Sequence, residues 1–132
     1  RVTCPDGVVA ACVWDHAGSQ GPLHIFWEAA RSLGAVIDDE SKRAGTREGH
    51  LAELFEAAGL RLIESTALSV GLHHDTFEAW WEPFTDGVGP AGAYLAGLDA
   101  EAQAELREDC RRRLPAGPFE ITAVAWTARG IA

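Results

Sequence analysis

Methionine is absent from these 132 residues, and cysteine occurs only three times, at Cys4, Cys12 and Cys110. An odd number at such wide spacing makes no disulfide framework, and buried thiols behave as small hydrophobes. Basic residues are scarce too: 11 Lys and Arg stand against 20 Asp and Glu, for a net charge of -9. That balance excludes a phosphate-backbone binder, which needs clustered positive charge, so no nucleic-acid partner is expected. No apolar run approaches the roughly 18 residues of a membrane-spanning helix, and the N-terminus has no signal-peptide pattern. A cytoplasmic protein without a membrane partner is the expectation. With no initiator methionine, the chain reads as a piece of something longer.

The usual catalytic signatures are missing as well. His16, His24, His50, His73 and His74 make neither an H-E-x-x-H motif nor a compact Cys/His cluster, so no metal is expected. There is no Gly-x-Ser-x-Gly elbow, and no cysteine has an activating context. The glycines of Gly87-Val88-Gly89-Pro90-Ala91-Gly92 have the wrong flanks for a phosphate cradle and read as a hinge.

What is present is globular: 47% hydrophobic, 23% charged, and long enough for one domain over 1–132. Its organising stretch is Val8-Val9-Ala10-Ala11-Cys12-Val13-Trp14, bounded by turn residues, which predicts a strand buried on both faces. Pro22 suits the start of a helix carrying Leu23, Phe26, Trp27, Ala30 and Leu33, which Gly34 closes. An exposed acidic and basic connection, 35–45, follows. Thr46 is the expected cap of a second helix with Leu51, Leu54, Phe55 and Ala58 on one face and Gly59 at its end.

A strand is predicted from about 61 to 72, with Leu62, Thr66, Leu68, Val70 and Leu72 on one side. The small residues Ser65, Ala67, Ser69 and Gly71 lie on the other, which suggests close packing against a helix or another chain. Asp75 and Glu78 form a capping-box pattern ahead of Phe77, Trp80, Trp81 and Phe84, one aromatic helix face. The span 85–93 reads as a flexible loop and 94–98 as an apolar turn. Asp99 caps a long helix with a seam of Ala102, Leu106, Cys110 and Leu114, and its late Arg111, Arg112 and Arg113 suit the helix dipole. A last strand runs over 119–127, then a plain tail.

In open α/β sheets ligands bind beyond the carboxyl ends of strands. Trp14, Asp15 and His16 are placed at one such end, and His73 and His74 at another. Loop capping and aromatic packing are the alternative uses of these residues. Phe77, Trp80, Trp81, Phe84 and Tyr94 are candidates to line an apolar ligand pocket or an interface, with plain core as the alternative.

These segments, in this order, carry a resemblance. Arg1-Val2-Thr3-Cys4-Pro5-Asp6-Gly7 and the strand to Asp15 resemble the end of the fourth crossover helix and the fifth strand of class I S-adenosylmethionine-dependent methyltransferases. A segment like Arg-Val-x-x-Pro-Gly-Gly leads into that strand in the family, and Asp6 stands where it has its first glycine. Gly45 to Gly59 resembles the family's following helix, Leu-x-x-Leu-Phe-x-x-Ala-Gly-Leu, and the strands from 61 and at 119–127 its sixth and seventh, with a helical insertion at about 75–114 between them. The nearest likeness is to small-molecule methyltransferases of the ubiquinone/menaquinone-biosynthesis type.

The resemblance implies an α/β fold: a partial Rossmann-like sheet of the last three strands with about four helices. It covers the family's C-terminal half only, so the cofactor motifs would precede residue 1. S-adenosylmethionine is implied for the full-length enzyme, no residue here is its ligand, and none is expected to bind this chain alone. The implied function is the acceptor-side half of a methyltransferase acting on a small apolar molecule, inactive in isolation, with His16 as base or orienting group. The alternative is a non-catalytic module that binds a hydrophobic ligand or oligomerises. A very apolar strand 8–14 without its parallel neighbour would leave an open edge, so a homodimer covering that edge is expected.

Overall fold

The computed structural model describes residues 3–37 and 40–132. Arg1 and Val2 of the family-like segment, and Asp38-Asp39 of the acidic connection, lie outside the described residues. Among the described residues the fold is mixed α/β, with five α-helices and a three-stranded antiparallel sheet. In chain order the elements are β1 (Val8–Trp14), α1 (His24–Ser32), α2 (His50–Ala57), β2 (Arg61–His74), α3 (Phe77–Thr85), α4 (Gly89–Ala96), α5 (Ala100–Arg113) and β3 (Phe119–Ile131). A short 3-10 turn, Glu40–Lys42, precedes α2.

The sheet order is β1-β3-β2, so the last strand enters between the two earlier ones. β1 pairs antiparallel with β3, in a register that sets Ala10 opposite Arg129 and Cys12 opposite Thr127. On the other side of β3, Arg129 binds Glu64 and Thr127 binds the Thr66 carbonyl. One residue number rises as the other falls, the antiparallel signature, so β1 and β2 run parallel to each other. Parallel strands need a long crossover, and α2 lies within it.

The described residues gather into two compact units. The first holds 3–22, 40–70 and 122–132, and the second 23–37 and 71–121. In the first, Leu51 and Phe55 of α2 pack with Val9, Ala11, Val13, Ile63, Trp126 and Ala128. Gly59, at φ +76°, ends α2 as predicted, and the Leu60 N–H returns to the Phe55 carbonyl at 3.0 Å.

Three expectations for this unit are corrected. β1 is not buried on both faces: its odd-numbered residues lie under α2, while Val8, Ala10, Cys12 and Trp14 are exposed. An apolar run is compatible with either state, and only one layer of helix covers this sheet. Thr46 does not cap α2, which begins at His50 behind Gly49 at φ +75°. The buried Thr46 hydroxyl instead donates among the carbonyls of Ser41 and Arg43, 2.8 and 2.9 Å away. Of the two coverings expected for the small residues of β2, the helix is not seen: Ser65, Ala67, Ser69 and Gly71 are exposed, and on that side only Ile63 meets α2.

The second unit has an aromatic core. Phe26 of α1 contacts Trp81 and Phe84 of α3, with Ala91 and Leu95 of α4, Leu106 and Cys110 of α5, and Phe119 and Ile121 of β3. Gly34, at φ +88°, ends α1 as its sequence suggests. The Asp99 carboxylate accepts from the Ala102 N–H at 2.9 Å and starts α5. Leu114 is extended, as the residue before Pro115 should be.

Here too the structure differs in places. Thr76, not Asp75, caps α3, its hydroxyl accepting from the Ala79 N–H at 3.1 Å. The glycine-rich stretch is largely helical: α4 opens with Pro90 and buries Ala91, Gly92 and Leu95. Apolar burial offsets its poor helix propensity. The tail after Thr127 is strand, because β1 offers partners to Ile131.

Candidate functional site

The carboxyl end of β1 holds the first group of candidate residues, all in the first unit. The Asp15 N–H donates to the Val124 carbonyl and the Val124 N–H to that of Gln20, both at 2.9 Å, so the loop after β1 is tied to β3. Asp15 is buried, and its Oδ1 accepts from the Gly18 N–H at 2.8 Å. This side-chain to backbone bond across three residues assigns the carboxylate to holding the loop. A Cβ on Gly18 would lie 2.2 Å from Asp15 Oδ2, so the turn admits only glycine without rearrangement.

His16, half-buried, lies over Gly21, whose missing Cβ leaves room for the imidazole. Its Nδ1 is 3.8 Å from Glu40 Oε2, an ion-pair distance when the ring is protonated. Glu40 is also 3.7 Å from Arg43. Sequence spacing gave no sign of the Glu40 contact, since 24 positions separate the two residues. The result is an imidazole with a carboxylate beside one nitrogen. That arrangement suits a proton acceptor or an orienting group. Trp14, the last residue of β1, is exposed.

The second group belongs to the second unit. β2 runs two residues further than expected, so His73 and His74 are strand residues. His73 Nε2 is 3.2 Å from Asp75 Oδ1, an exposed pair. The His74 ring lies against Phe119 with centroids 5.3 Å apart. Desolvation there, and next the charge of His73, lower its pKa below the usual histidine value.

Phe77, Trp80, Trp81 and Phe84 are all buried at 4–7% exposure and pack on one another, Trp80 on Phe84 at 5.0 Å and Phe77 stacked on Trp81 at 5.9 Å. Tyr94 is partly buried, edge-on to Trp27 at 5.7 Å. The aromatic face thus serves as core. Trp14, Asp15 and His16 are brought together, and so are the aromatics, but the two groups belong to different units.

Asp15 is engaged by its own turn, and the small-residue positions Gly18 and Gly21 are filled by the Asp15 and His16 side chains. Among the described residues no group of three or more His, Cys, Asp or Glu side chains is placed to hold a metal ion, and no helix is long and apolar enough to cross a membrane.

One feature escaped the sequence reading. The uncovered face of the first unit's sheet bears an open groove of about 480 Å³, lined by Ala10, Cys12, Glu64, Thr66, Leu68 and Arg129 among others. Its signal was the alternation in β1, masked because every residue there is apolar.

No family model matches the chain, and no curated protein matches it.

Proposed function

We propose that this chain is the closing portion of a class I S-adenosylmethionine-dependent methyltransferase domain. It would carry the acceptor side of the site and leave the cofactor to upstream residues. The observation that supports this reading is topological. β1 and β2, the strands likened to the family's fifth and sixth, run parallel and are joined through α2, an α/β crossover. Among the described residues β1 also has no partner on its outer side, so a Rossmann-like sheet has an edge on which to continue. A homodimer pairing along that edge would satisfy the same backbone groups.

In this reading His16, backed by Glu40, holds or takes a proton at a small acceptor beyond the end of β1. Methyl transfer depends mainly on orientation and exclusion of water. No residue of this chain is assigned to the cofactor.

Calorimetric titration tests the proposal. S-adenosylmethionine added to the 132-residue chain should give no binding heat, while a polypeptide extended upstream of Arg1 should bind at one site. In the extended protein His16→Ala should lower turnover and leave cofactor affinity unchanged. Binding by the short chain alone, or silence from the extended one, would overturn the reading.

A further inference from the structure

Several large exposed apolar residues of the first unit share one surface. Val8, Trp14, Leu68 and Val70 occupy even-numbered positions of β1 and β2, with Val8 65% and Leu68 55% exposed. α2 covers the odd-numbered side of β1, and the even-numbered side is open. Such a patch on a soluble domain marks an interaction surface.

Its charges point to the occupant. The paired register makes Ala10, Cys12, Thr127 and Arg129 share this face, and Arg129 holds Glu64 there through bonds of 2.8 to 3.0 Å. Among the described even-numbered positions of β1 and β2, Glu64 is the one charged residue, and Arg129 answers it from β3. The face is therefore neutral on a chain of net charge -9. Two such chains repel over most approaches, and least over this one. A two-fold interface requires a patch complementary to itself. One acid beside one base, at the groove, meets that requirement: each Glu64 can face the Arg129 of the second molecule while the leucines and valines around them are buried.

We infer that this sheet face is the contact surface for a second copy of the chain, stacked face to face with the Glu64 and Arg129 pairs exchanged near the two-fold axis. The inference does not rest on the methyltransferase reading, since it is argued from the sheet face of this chain as it stands.

Sedimentation equilibrium with charge-reversed variants tests it. The wild-type chain should sediment at twice 14.1 kDa. Glu64→Arg and Arg129→Glu, each removing a side chain about two-thirds exposed, should each fall to monomer mass with unchanged circular dichroism. Both variants lack the pair within one chain. An equimolar mixture should nevertheless recover the doubled mass, because a doubly basic face then meets a doubly acidic one. Leu68→Glu should stay monomeric in every mixture. A wild-type monomer across the micromolar range overturns the inference. So does a dimer untouched by either reversal, which would assign association to the edge of β1.

Discussion

The Arg111 guanidinium carbon lies 4.3 Å from the centre of the Phe77 ring. The same side chain donates to Glu78 Oε1, and Arg107 stands over the ring as a second cation at 5.3 Å. The basic run that closes α5 is thereby used within the second unit, Arg112 and Arg113 being bound by Asp109.

Arg111→Ala should therefore destabilise the protein by about 0.5–1 kcal/mol, the scale of a partly exposed cation–π contact. Lysine at this position should recover part of the loss, because it keeps the charge and not the planar fork. The hydrogen bond from Arg111 is the main cause holding the Glu78 carboxyl below its usual pKa, so NMR titration of the alanine variant should find that carboxyl moved back up. Unchanged urea midpoints would remove the cation–π argument.

The three thiols should divide by environment. Cys4 and Cys12 are exposed, and Cys110 is fully buried, its pKa raised to about 12 chiefly by burial and next by the charge of Asp109. The thiolate is the reactive form. In the Glu64→Arg variant, expected to be monomeric, a colorimetric thiol reagent should titrate two groups rapidly under native conditions and the third only in denaturant. Three fast thiols in buffer would contradict the packing of α5.

What the sequence made legible was local. Gly34 and Gly59 end helices through positive φ, and Asp99 starts one through a side-chain acceptor, because each signal acts within four residues. The apolar face of α3 was equally readable, but whether it met core or ligand was a question of tertiary packing, and it met core. The covering of β1 was not readable, since an all-apolar strand looks alike with one face buried or two. Nor was α4: Gly89 and Gly92 disfavour helix, and the burial of Ala91 and Leu95 decides otherwise. At the site, Asp15 and His16 were found from their place after a strand, but Glu40 reaches His16 through the path of the intervening chain.

Two glycines offer a paired measurement. A Cβ on Gly92 would lie 2.5 Å from the Gly87 carbonyl carbon, and backbone cannot step aside as a side-chain tip can. Gly92→Ala should cost about 1–3 kcal/mol by overpacking. Gly117, by contrast, has nothing within 4 Å of its Cβ position and no positive φ. Gly117→Ala should be neutral or stabilise by up to about 1 kcal/mol, through the unfolded chain. Thermal melts of both variants check the contrast, and a Gly92→Ala protein as stable as wild type would refute the close approach of α4 to Gly87.

Acid should act on the second unit through Asp109. This carboxylate is 14% exposed and accepts from Arg113 and Arg112 at 2.8 Å and from the Ser32 hydroxyl at 3.0 Å, joining α5 to the end of α1. Its pKa is lowered from the usual 3.8, first by the Arg113 hydrogen bond. A group with a depressed folded pKa stabilises most above its unfolded value, and loses that contribution as pH falls through the folded one. Asp109→Asn should then cost on the order of 1 kcal/mol at neutral pH, the scale of a hydrogen bond to a charged group. The stability gap between wild type and variant should stay level from neutrality down to the ordinary carboxylate range and close below it. Denaturant titrations at stepped pH measure that gap directly. A gap that persists once pH has fallen through the lowered folded-state pKa, where both chains carry an uncharged group at 109, would mean that Asp109 acts through shape and not through charge.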